Sequence, residues 1–140
     1  MNPTSSLSPI LVADDDLNDL FLLRRRLDKA GVKHPVVTFS NGEELVSFLR
    51  ASAIKGEGLS GVKPCLIFLD LKMPRRDGFE VLSWARAQHA LKNLPIVVLS
   101  GSDLQRDLDR ARELGATDYL VKPPEVAMLA KLIRDWVPAQ

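Results

Sequence analysis

Cysteine is all but missing, with Cys65 alone among 140 residues. One thiol cannot close an internal disulfide, so a packed core must hold the fold, and the usage fits a reducing cytoplasm. Aromatic residues make up 6% of the chain, which leaves the interior to aliphatic side chains. No apolar run reaches the roughly 18 residues needed to span a bilayer, and no signal-peptide pattern opens the chain. An excess of one charge is lacking too: 19 Lys and Arg against 18 Asp and Glu give +1. That balance offers no general attraction to nucleic acid or an anionic membrane, and neither is expected as a partner. His34 and His89 have no companion ligands at metal-binding spacing. Function must therefore come from local groupings.

What is present is alternation. Apolar runs at 10–13, 36–39, 65–69, 96–99 and 119–121 predict five short strands. Helical periods fall between them at 17–30, 42–51 and 79–88. A fourth helix is expected to open on a Ser102–Gln105 capping box and end at Gly115, and a fifth to carry Pro124 in its first turn. Five βα units with uniformly apolar strands predict a doubly wound α/β domain, a five-stranded parallel sheet with helices on both faces. One domain over residues 9–137 is expected. Residues 1–8 form a flexible N-terminus, 52–63 an extended surface loop with three glycines, and 138–140 a C-terminal tail.

This architecture gives the run "VADDD" a place. Open parallel sheets bind ligands beyond the carboxyl ends of their strands, near the switch in strand order. Asp14, Asp15 and Asp16 follow the first strand, Asp70 the third, Ser100 the fourth and Lys122 the fifth. Taken singly, each has an ordinary explanation: Asp16 as the N-cap of the first helix, Ser100 as a turn residue, Lys122 as a surface lysine. Their joint arrival at one edge is harder to explain that way. Converging carboxylates repel unless a cation sits among them, and oxygen ligands that retain waters suit magnesium.

The motifs "ILVADDD", "LIFLDLKMPRRDG", "IVVLSGS" and "DYLVKPP" together make the chain resemble the receiver domain of two-component response regulators over residues 9–137. It looks like the stand-alone receivers related to cyanobacterial phytochrome partners. The resemblance implies the flavodoxin-like (βα)5 fold and a cytoplasmic signalling domain with self-catalysed phosphotransfer and autodephosphorylation, not an enzyme. Asp70 would accept a phosphoryl group from a sensor histidine kinase or phosphotransfer protein. Asp14, Asp15, Asp70 and the backbone carbonyl of Lys72 would hold Mg2+. Ser100 would bond a phosphoryl oxygen, and Lys122 would pair with the carboxylate and then the phosphoryl group, across a cis bond to Pro123. Tyr119 matches the aromatic whose rotation, from an exposed to a buried position, reports phosphorylation. Output would be a changed helix 4–strand 5–helix 5 surface, with homodimerisation one use of it. Leu104, Val126 and Met128 lie near that surface.

Rival functions fit less well. A phosphatase of the haloacid dehalogenase type needs a second aspartate two residues after the first, where Lys72 stands. A nucleotide-binding flavodoxin-like domain would have to seat phosphate against three anions after strand one. A receiver fused to a DNA-binding module is not expected at this length. The alternative that remains is a scaffold-type receiver acting by protein binding without phosphorylation. Other residues read as packing or surface: Cys65, Trp84 and Trp136 as packing, Arg24, Arg25 and Arg26 as the solvated face of the first helix.

Overall fold

Alternate residues of a strand point to opposite faces of a sheet, and this explains strands that are apolar at every position. In the computed structural model, which describes residues 7–54 and 63–137, five parallel strands run in the order β2-β1-β3-β4-β5. These are β1 (Ile10–Ala13), β2 (Val36–Phe39), β3 (Leu66–Leu69), β4 (Ile96–Ser100) and β5 (Asp118–Val121). The helices are α1 (Leu17–Lys29), α2 (Gly42–Leu49), α3 (Gly78–Arg86), α4 (Gln105–Glu113) and α5 (Val126–Trp136). Leu11, Ile67, Leu69, Ile96 and Val98 pack with α2, α3 and α4 on one face. Ile10, Val12, Phe68, Val97 and Leu99 pack with α1 and α5 on the other. The expected doubly wound fold is the one observed. Among the described residues, no helix is long and apolar enough to cross a membrane.

Because β1 lies between β2 and β3, the chain reverses its direction of winding there. The β1–β3 gap is thus the switch point, where an open sheet has a crevice at its carboxyl edge. Backbone bonds carry the ladder one residue past the strands: Asp14 N–H to the Phe39 carbonyl at 3.0 Å, Asp70 N–H to Ala13 at 3.0 Å, and Lys122 N–H to Ser100 at 2.8 Å. The polar residues that follow the strands are therefore held as firmly as the strands themselves.

Local chemistry sets the helix ends. Asp16 caps α1, its carboxylate accepting from the backbone N–H of Asn18 and Asp19. Asp77 and Glu80 form a reciprocal capping box at the start of α3. Gly31 and Gly115 follow α1 and α4 with φ of +83° and +105°, backbone that glycine adopts without strain.

Several expectations need correction. Ser102–Gln105 is not a capping box: α4 starts at Gln105, Gln105 turns its amide to Asp109, and Ser102 Oγ donates to Asp107 at 2.6 Å. Pro124 precedes the Glu125 cap of α5 and is not in its first turn. After α2 the chain continues as a π-helical turn, Arg50–Ile54, in which Ser52 is buried and its hydroxyl bonds the Phe48 carbonyl. The expected loop thus does not start at Ser52, and its residues 55–62 lie outside the described residues, as do 1–6 and 138–140. Arg26 is only partly solvated, since it donates to the Pro124 carbonyl at 2.7 Å and ties α1 to the loop before α5. Trp136 is 44% exposed. Cys65 is half-buried beside β3, and burial pushes its thiol up to about 11, well away from reactivity.

Gly78 fixes how closely α3 approaches the end of β3. A Cβ there would press on the Asp70 carbonyl oxygen and lie 2.8 Å from Leu71 Cα. Gly78→Ala should therefore cost roughly 1–3 kcal/mol, the usual scale of overpacking. Urea unfolding measures it; a midpoint equal to wild type would show that the loop yields freely.

Candidate functional site

Asp14, Asp15 and Asp70 emerge from β1 and β3 on either side of the switch point. One carboxylate oxygen from each falls within 4.8 Å of the others. Asp14 and Asp70 are buried, at 4% and 8% exposure, while Asp15 faces solvent. Asp14 is doubly engaged: Oδ1 accepts from the Asp16 amide at 2.9 Å and Oδ2 from Lys122 Nζ at 2.7 Å. Three anions so close repel strongly in a partly desolvated site. Their hard oxygens, two fixed and one open to water, fit a divalent cation such as magnesium.

Lys122 supplies the counter-charge. Its ammonium donates to Asp14, to Asp19 at 2.8 Å and to Asp70 at 3.3 Å. Burial by itself would lower the lysine's pKa, but the bonds to Asp14 and Asp19 and the charges of Asp70 and Asp14 outweigh it and raise it. Asp70 moves the other way from an ordinary carboxylate. Burial pushes it up to about 6, with the Asp14 charge adding to the rise and the Lys122 charge and Lys72 amide working against it. The Lys122–Pro123 peptide is cis.

The sequence pointed to every member of this grouping except Asp19. It sits in the first turn of α1, three residues after the Asp16 cap, where an acid ordinarily serves the helix end, and only the long-range contact with Lys122 sets it apart. A cleft of about 340 Å³ is lined by Asp19, Asp70, Lys72, Ser100, Ser102 and Lys122. Ser100 is buried, and its Oγ accepts from the Ser102 amide at 3.2 Å. Tyr119 is set apart, one strand over. Its ring is half-buried rather than exposed, packed against the core with its hydroxyl donating to the Ser102 carbonyl at 2.8 Å.

Comparisons with known proteins identify the family and the fold. The sequence profile of the response regulator receiver domain matches residues 10–134. Response regulator Rcp1 of Synechocystis sp. is 31% identical over 125 residues, which cover 89% of this chain and 83% of that protein. The crystal structure of the Mn(2+)-bound form of Rcp1 superposes with a TM-score of 0.76 at 28% identity, covering 94% of this chain and 99% of that one. The phosphorylated cyanobacterial phytochrome response regulator RcpA gives 0.76 at 30% identity, over 96% and 100%.

The raised Asp70 carboxyl has a consequence for stability. An unfolded aspartate ionises near 3.8, whereas folded Asp70 keeps its proton to about 6. Above that pH the folded state carries a charge it disfavours; below about 4 both states are neutral and the cost disappears. In metal-free buffer near pH 7.5, Asp70→Asn should be more stable than wild type by roughly 1–2 kcal/mol after allowance for solvent screening. The advantage should shrink as pH falls through 6. Thermal melts of the two proteins across this range test it, and an advantage that persists or grows on acidification would contradict it.

Proposed function

The chain belongs to the response regulator receiver family, and on that premise we propose that it takes a phosphoryl group onto Asp70, with magnesium, from a sensor histidine kinase or phosphotransfer protein. The observation that carries the proposal is the meeting of Asp14, Asp15 and Asp70 within 4.8 Å, with the Lys122 ammonium against two of them. Phosphoryl transfer asks for positioning and charge neutralisation more than for covalent help, and the fixed carboxylates and ammonium of this edge support that reading.

An Asp70 oxygen forms a bond to phosphorus as the phosphorus–nitrogen bond of phosphohistidine breaks. The electron pair leaves with the imidazole nitrogen, which takes a proton from solvent. Lys122, a compact point charge, follows the negative charge from the carboxylate to the phosphoryl oxygens. Ser100 accepts from the Ser102 amide, so its O–H is left to donate to a phosphoryl oxygen. Magnesium held by Asp14, Asp15, Asp70 and the Lys72 carbonyl would neutralise charge on the transferring group.

Output would follow from the Ser100 hydroxyl turning toward the phosphoryl group. Its bond to Ser102 would then change, and Ser102 also holds the Tyr119 hydroxyl. Since the Tyr119 ring already starts half-buried, the signal would be a change in how firmly it is held there. The face that responds comprises α4, β5 and α5, where Leu104, Val121 and Met128 are exposed. A second copy or another protein that prefers the altered face would shift the equilibrium by its differential affinity. Homodimerisation through this face is part of the proposal.

Incubation with acetyl phosphate and magnesium, followed by intact mass, tests the reading. Wild type should gain one acid-labile phosphoryl group, chelator should prevent it, and Asp70→Asn should gain none. Lys122→Ala should label more slowly by on the order of a hundredfold, the scale of losing one fixed charge-stabilising donor. Early labelling of Asp70→Asn at the wild-type rate would remove Asp70 from the chemistry.

A further inference from the structure

An ammonium directs three N–H bonds. Those of Lys122 run 2.7 Å to Asp14, 2.8 Å to Asp19 and 3.3 Å to Asp70. The proposed nucleophile thus receives the longest of the three, while the two short bonds draw the lysine back toward β1 and α1. Asp14 and Asp70 also belong to the trio whose oxygens converge, and Asp19 does not. A cation attracted to that trio competes with the ammonium for Asp14 and Asp70 but leaves Asp19 to the lysine. Asp19 is itself well placed to serve as a fixed partner. Its backbone N–H bonds the Asp16 carboxylate at 3.1 Å, and the first turn of a helix favours an anion.

We propose that Asp19 is a positioning residue for phosphoryl transfer, acting through Lys122. It holds the ammonium on the α1 side, so that the lysine does not close onto Asp70 before the phosphoryl group arrives. A shorter, direct ion pair would draw more of the carboxylate's negative charge onto the ammonium and make its oxygens weaker nucleophiles. As charge moves from the carboxylate to the phosphoryl oxygens, Asp19 keeps the ammonium aimed at the same cleft. The inference rests on Asp70 being the phosphoacceptor and gives a role to the one carboxylate on Lys122 that lies outside the converging trio.

Labelling by acetyl phosphate at saturating magnesium provides the test. In that step an Asp70 oxygen bonds phosphorus while the phosphorus–oxygen bond to acetate breaks, its electron pair leaving on acetate; no proton is transferred. Asp19 is partly exposed, with a side-chain exposure of 36% against 14% for Lys122, so the effect should be that of a partly screened pair. Asp19→Ala should lower the limiting rate about fivefold and leave the half-saturating acetyl phosphate concentration unchanged. Asp19→Glu should recover most of the rate, and the volume-matched Asp19→Asn should fall between. In a Lys122→Ala background, Asp19→Ala should change nothing further, because the residue acts through the lysine. A wild-type limiting rate in Asp19→Ala, or an equal slowing with and without Lys122, overturns the inference while leaving Asp70 as phosphoacceptor. Absence of labelling in wild type, or labelling of Asp70→Asn, overturns both.

Discussion

Buried like charges at the carboxyl edge of β1 and β3 are the constraint on which the rest depends. Asp14 and Asp70 are almost out of contact with water, their backbones pinned to the ladder, with Asp15 close by. They cannot move apart, so the repulsion must be met by something positive. One ammonium meets part of it, bridging Asp14, Asp19 and Asp70. The remainder shows in Asp70, which burial and its neighbour hold far above the ordinary carboxylate range. An edge left short of positive charge suits a divalent cation. Apolar strands enter this account because they make the edge rigid; a looser sheet would let the carboxylates splay.

Hydrogen bonds link this rigid edge to the elements around it. Ser102 is the junction: its amide bonds Ser100 Oγ, its carbonyl accepts from Tyr119, and its hydroxyl donates to Asp107 in the first turn of α4. One residue thus joins Ser100 to β5 and α4. On the other flank, Arg26 reaches from α1 to the Pro124 carbonyl, two residues after Lys122.

The fold and most of the edge were legible in the sequence because they obey short-range rules. Strand runs, the Asp16 cap and the placing of Asp14, Asp15, Asp70, Ser100 and Lys122 at strand ends follow from local pattern plus one topological rule. What escaped depends on contacts that the chain makes late. Asp19 looked like any acid in a first helical turn until Lys122, more than a hundred residues on, was folded against it. Arg26 belonged to a run of three arginines, and nothing local separated it from Arg24 and Arg25. The Ser102 pattern suggested a capping box, but the end of β4 claims the Ser102 amide and Asp107 its hydroxyl, so the helix starts later. Tyr119 carried a side-chain position that pattern cannot specify, since its burial is set by the Ser102 carbonyl across the β4–α4 connection.

The most direct test of the account is a crystal structure grown with magnesium and beryllium fluoride, a mimic of the phosphoryl group. One metal ion should contact the carboxylates of Asp14 or Asp15 and Asp70, the mimic should be joined to Asp70, and Lys122 Nζ should turn to the mimic's fluorines while still bonded to Asp19. A metal ion held elsewhere, or a mimic on any carboxylate other than Asp70, would contradict it.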